Sequence, residues 1–134
     1  GHILICSSAL SESPLPMYSA YCATKAAQDS LAGALRAELA HTPIAVTSVH
    51  PIATKTDFSS QVLGDIESSK TGFDTPDWFT QSADQVAKKI VRCLKKPCPE
   101  VWPSVATRVL LATATAWPTF GAWALKQINK RTKK

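Results

Sequence analysis

Tyr21 and Lys25, four residues apart, are the pair in this 134-residue chain best suited to proton chemistry. On a helix such positions stand one above the other on one face, so the ammonium lies close to the phenol. An isolated phenol is a poor acid or base near neutral pH, and a neighbouring positive charge favours the phenolate. Ser8 precedes Tyr21 by thirteen residues, at the end of the apolar run Ile3-Leu4-Ile5-Cys6. A strand ending in serine, then a loop, then a helix with tyrosine and lysine brings three polar groups to the carboxyl end of a sheet. Ligands of open α/β folds bind there.

The elements that position these groups follow from local pattern. Residues 2–6 read as a strand buried on both faces, apolar and without alternation. Ser7 and Ser8 then point to opposite faces, so one of them faces a site, and the interval to Tyr21 favours Ser8. Residues 9–19, with Pro14 and Pro16, read as a loop over the sheet edge. A helix is expected over 19–40, where Ala20, Ala23, Ala27, Leu31, Leu35 and Leu39 form an apolar stripe. Gln28, Asp29, Arg36 and Glu38 fall mostly elsewhere on the wheel. The small residues of the early turns let this helix lie close to the sheet or to a partner helix, which makes a homodimer an expectation. His41-Thr42-Pro43 ends it.

Residues 44–50 read as a second buried strand, and strand, helix, strand in this order implies a parallel sheet. The loop of residues 51–56 lies at its carboxyl end. Residues 57–81 are mixed, and read either as a mobile substrate loop or as an ordinary surface connection. Ser82-Ala83-Asp84-Gln85 is a capping-box pattern that opens a helix with Val86, Ala87, Ile90, Val91 and Leu94 on one face. Lys95 and Lys96 complement its carboxyl end and Pro97 stops it. Glu100-Val101-Trp102 reads as a short strand. Residues 105–128 are apolar and helical in pattern, but Arg108 and Pro118 interrupt them and argue against a membrane span. A packed or partner-facing helix is the first reading, and a membrane-surface helix anchored by the basic tail is the second.

Composition is globular, with 45% apolar and 19% charged residues, and the length suits one core. The net charge of +5 is uneven, since Lys126, Lys130, Arg131, Lys133 and Lys134 crowd the end. No nucleic-acid motif accompanies that charge, so a nucleic-acid partner is not expected. Cys6, Cys22, Cys93 and Cys98 make no C-x-x-C pair and no histidine stands at zinc-ligand spacing, so neither a metal site nor a redox motif is expected. Reduced, buried thiols and a cytoplasmic setting are the expectation, with no signal-peptide pattern present. The only methionine is Met17 and the chain opens on Gly1-His2 directly before a strand, so a piece of a longer protein is expected.

Ile5-Cys6-Ser7-Ser8, the Ser8 to Tyr21 interval, Tyr21-x-x-x-Lys25 and His50-Pro51-Ile52-Ala53-Thr54-Lys55-Thr56 together resemble the second half of a short-chain dehydrogenase/reductase. The resemblance is close over residues 1–60 and loose over 80–103. It implies an α/β fold: a partial doubly wound, Rossmann-like parallel sheet with flanking helices, lacking its amino-terminal strands. Residues 1–103 would form the catalytic half-domain and 104–134 an apolar helix with a basic tail. It also implies a hydride-transferring oxidoreductase that uses NAD or NADP on a small-molecule carbonyl or secondary alcohol. Tyr21 would be the general acid or base, Lys25 would support it and donate to the nicotinamide ribose, and Ser8 would bond the substrate oxygen. Pro51, Ile52, Thr54 and Thr56 would contact the nicotinamide. Ile52 stands where the family usually has glycine, and a modest local shift is expected there. Thr54 and Thr56 also suit a loop that satisfies its own turn. Gly1, Gly33, Gly64, Gly72 and Gly121 form no glycine-rich phosphate turn, so this chain alone should hold cofactor poorly. The alternative is a non-catalytic interaction or membrane-surface module that retains part of the fold.

Overall fold

The apolar run at the start forms β1 (His2–Cys6), followed by a single 3-10 turn (Ala9–Ser11), α1 (Ser19–Glu38) and β2 (Ala45–Val49). The computed structural model describes residues 1–13, 15, 18–55, 80–117, 119, 121, 123 and 126. Two-residue strands β3 (Thr54–Lys55) and β4 (Gln81–Ser82) precede α2 (Ala83–Lys95), β5 (Glu100–Val101) and α3 (Val105–Ala116). The main sheet has the order β1-β2-β5 and is parallel throughout, with Leu4 opposite Thr47 and Val49 opposite Val101. This is the expected partial doubly wound fold.

Alternation along β2 sorts the two faces. Thr47 and Val49 look toward α2: Val49 packs in a cluster with Cys93 and Val101, flanked by Leu4, Ile90 and Cys98. Ser48 and His50 look the other way, where the His50 ring meets Asp29 of α1 at 3.3 Å. Helices therefore cover both faces, as parallel sheets require.

The helix faces differ from the sequence pattern. In α1 the buried residues are Cys22 and Ala32, with Asp29 and Arg36 beside them, while Leu31 is 53% exposed. Arg36 explains the rotation: its Nε donates to the Val46 carbonyl at 3.2 Å and its Nη2 to the Pro99 carbonyl at 2.7 Å, holding β2 and the approach to β5. In α2 the expected capping box is present, with the Gln85 amide donating to Ser82 Oγ at 3.3 Å and the Ser82 amide to Gln85 Oε1 at 3.0 Å. Its inward side carries Cys93 together with the expected Ile90, while Val91 and Leu94 are exposed. β1 is only partly covered, because among the described residues it pairs on one edge alone and Ile3 remains exposed.

α3 ends at Ala116, two residues before Pro118, and the described Thr119, Gly121, Trp123 and Lys126 beyond the interruption are again helical. Arg108 ties it to the body: its Nε and Nη2 both lie 2.8 Å from Glu100 Oε2. Thr115 Oγ1 donates to the Glu12 carbonyl at 3.1 Å. Among the described residues no helix is long and apolar enough to cross a membrane.

Candidate active site

The two serines after β1 take different work. Ser7 Oγ donates to the Lys25 carbonyl at 2.8 Å, fastening the strand end to α1. Ser8 is buried in extended backbone, and its Oγ accepts from the Leu10 amide at 3.1 Å, capping the 3-10 turn that replaces part of the expected loop. The Ser8 carbonyl accepts from Ser11 Oγ at 2.7 Å and from the Ser11 amide at 3.0 Å. The Ser8 hydroxyl keeps its own proton available for a further acceptor.

On α1 the structure brings Tyr21 and Lys25 together. Lys25 Nζ lies 5.7 Å from the Tyr21 ring centroid, within cation–π range, and the Tyr18 ring meets Tyr21 edge-on at 6.4 Å. The same ammonium donates to the Cys6 carbonyl at 2.9 Å and to Gln28 Oε1 at 3.0 Å. Lys25 thus bridges the helix to the carboxyl end of β1, two residues before Ser8.

The loop after β2 lies beside the turn after β1, because the Ala9 amide donates to the Pro51 carbonyl at 2.9 Å. Thr54 Oγ1 donates to the Ile52 carbonyl at 2.8 Å, so this hydroxyl satisfies its own turn, and Gln81 Nε2 reaches it at 3.4 Å. β3 and β4 pair in parallel, Thr54 opposite Gln81, joining the two ends of the segment expected to be a substrate loop. Strands this short carry no periodicity, so the sequence pattern does not reveal them. Thr56 and residues 57–79 lie outside the described residues. Among the described residues no group of three metal-ligating side chains occurs.

Sequence reasoning assigned His50 no role, yet it is 1% exposed and central. Nε2 lies 3.0 Å from Ser48 Oγ and 3.3 Å from Asp29 Oδ1, Nδ1 lies 3.3 Å from the Ser8 carbonyl, and the ring stacks on Trp102 at 4.2 Å. Ser11 Oγ is 3.5 Å from Nδ1. Ser11, His50 and Asp29 therefore resemble in order a nucleophile, base and orienting carboxylate. The Ser11 hydroxyl is committed to the Ser8 carbonyl and Trp102 covers the ring, so this group locks the Ser8 turn and opens no hydrolytic site. A histidine closing a buried strand was the only signal available for it.

The model of the short chain dehydrogenase family matches residues 1–66. A Drosophila melanogaster dehydrogenase/reductase SDR family protein 7-like is 33% identical over 101 residues, which is 75% of this chain and 31% of that protein. Among solved structures, a short chain dehydrogenase from Burkholderia cenocepacia in complex with NADP shares 23% identity at TM-score 0.67, covering 92% of this chain and 47% of the other. A short chain dehydrogenase from Mycobacterium paratuberculosis bound to NAD shares 23% identity at TM-score 0.53, covering 75% of this chain and 42% of the other. The chain thus spans under half the length of each of these relatives. Its three parallel strands with helices on both faces agree with the matched stretch, and that leads to one assignment: residues 1–66 belong to the short-chain dehydrogenase/reductase family.

Proposed function

We propose that the protein carrying this chain is a nicotinamide-dependent oxidoreductase that interconverts a carbonyl and a secondary alcohol, with Ser8, Tyr21 and Lys25 as its working side chains. The supporting observation is the placement of Lys25: one ammonium beside the Tyr21 ring and bonded to the Cys6 carbonyl, at the carboxyl edge where such folds bind ligands. A nicotinamide dinucleotide, NAD or NADP as in the two structural relatives, supplies or accepts the hydride when bound. The groups at this edge suit the nicotinamide end: Lys25 would donate to the ribose, and the loop of Pro51 and Ile52 with the Thr54 backbone would face the carboxamide, to which Thr56 is proposed to contribute its hydroxyl. No glycine-rich turn for the pyrophosphate stands in these 134 residues.

In reduction Tyr21 gives its proton to the carbonyl oxygen, and in oxidation it takes the alcohol proton. Lys25 stabilises the phenolate left behind, and the Ser8 hydroxyl donates to the oxygen as charge gathers on it. In the whole protein, Tyr21→Phe should retain its circular dichroism while turnover falls about 10²–10⁴-fold, the range of general acid catalysis. Undiminished turnover would overturn these roles.

A second reading attaches to α3 and the residues after it. Val105 is 79% and Trp117 71% exposed, and Lys126 follows, an apolar and basic combination suited to an anionic membrane surface. Co-sedimentation with anionic vesicles that disappears on deleting residues 126–134 would support it; no binding at low salt would remove it.

A further inference from the structure

Cys93 sits in the last full turn of α2, and Cys98 stands where the chain has turned at Lys96 and Pro97 toward β5. Their sulfurs are 3.1 Å apart, so about 1 Å of approach separates them from a bonded pair. Other contacts hold both in place. Cys93 Sγ is 3.4 Å from Thr47 Oγ1, Cys98 Sγ donates to the Glu100 carbonyl at 3.4 Å, and the Thr47 hydroxyl donates to the Cys98 carbonyl. Cys93 is 3% exposed while Cys98 is half-buried, so a small oxidant would enter past Cys98. Sequence spacing hid this pair, because the sulfurs meet across a helix end.

We propose that Cys93 and Cys98 form a reversible dithiol–disulfide pair oxidised by a small peroxide, a modification site independent of the hydride chemistry. Burial pushes the Cys93 thiol up, but hydrogen bonds with Thr47 and with the Cys98 thiol and backbone outweigh it and hold Cys93 below its ordinary value. Burial, and then the neighbouring Cys93, push Cys98 up to about 11. The first proton therefore leaves Cys93. Its thiolate gives an electron pair to one peroxide oxygen, the O–O bond breaks, and the departing hydroxide takes up a proton to become water, leaving a sulfenic acid. The Cys98 sulfur then attacks the Cys93 sulfur: the S–S bond forms, the S–O bond breaks, and hydroxide leaves with the Cys98 proton as a second water. Two thiols are oxidised and one peroxide is reduced. The bond would join the end of α2 to the approach to β5, on the face of the sheet opposite α1, the helix that carries Lys25.

The test uses the whole protein, reduced, treated with hydrogen peroxide, alkylated and cleaved with trypsin. Cleavage after Lys95 separates Cys93 from Cys98 unless they are bonded. The expected product is a linked peptide pair lacking two hydrogens, restored by reductant, and in Cys98→Ser a Cys93 sulfenic acid trapped by dimedone with no link. Recovery of both cysteines alkylated while Cys6 is oxidised, or of Cys93 bonded to Cys6 or Cys22, would overturn the proposal. Neither result depends on turnover, so the outcome stands apart from that of Tyr21→Phe.

Discussion

His50 shows how one buried side chain can hold a site it never enters. Its nitrogens reach Asp29 on α1, Ser48 on β2 and the Ser8 carbonyl, while Trp102 closes its face. His50→Phe keeps the stacking and removes both nitrogens, leaving the buried Ser48 hydroxyl without its ring partner. Stability of the whole protein in urea should fall by roughly 1–3 kcal/mol, the usual cost of an unsatisfied buried group. Because Ser8 would move with its turn, kcat should fall more than KM rises. A variant as stable and active as the parent would show that the ring only fills space. Legibility at this scale is uneven. The Tyr21 and Lys25 contact follows from helical spacing alone, whereas His50 meets partners two, twenty-one and forty-two residues away, which no local pattern encodes.

Among elements, α1 and α3 each lean on one arginine. Arg36 replaces apolar packing with two bonds to backbone carbonyls, one in β2 and one just before β5, so Arg36→Ala should cost on the order of 2 kcal/mol in thermal or urea unfolding. Arg108 holds α3 through Glu100, and this contact makes a pH prediction. Burial pushes the Glu100 carboxyl up, but hydrogen bonds from Arg108 and Trp102 and the charge of Arg108 outweigh it and hold it below its ordinary value. A carboxyl that releases its proton more readily folded than unfolded contributes stability above the unfolded value and loses it as pH falls through the folded one. The parent should therefore lose stability on the acid side more steeply than Glu100→Gln, as measured by melts across that range. Parallel curves would remove Glu100 from the acid response. The capping box of α2 was legible because its partners are three residues apart; the inward face of α1 was not, and that of α2 was legible at Ile90 alone, because strand contacts selected Asp29, Arg36 and Cys93 over Leu31, Val91 and Leu94.

At the scale of the molecule, β1 is an edge strand among the described residues, and Ile3 and Leu31 are exposed on it and on α1. Unpaired strand edges template association with other chains. Residues 1–134 prepared alone should therefore self-associate in sedimentation velocity, in a concentration-dependent way that Ile3→Lys reduces. A sharp monomer boundary at all concentrations would show that the edge is protected. The same preparation should bind NAD or NADP weakly by fluorescence titration, since only the nicotinamide side of a site is proposed here.

The sequence by itself determined the order of the main elements β1, α1, β2, α2, β5 and α3, the parallel sheet they imply, the Ser82 and Gln85 cap, and the adjacency of Tyr21 and Lys25. Each depends on hydrophobic period, helix geometry or a connection long enough for a crossover, and all of these are local. Tertiary structure alone decided that α1 turns Asp29 and Arg36 inward, that His50 joins three segments beneath Trp102, that Thr54 and Gln81 pair, and that Cys93 meets Cys98. The reason is physical: strand register and the direction of the chain after each helix set those distances, and both are selected by the packing of the whole.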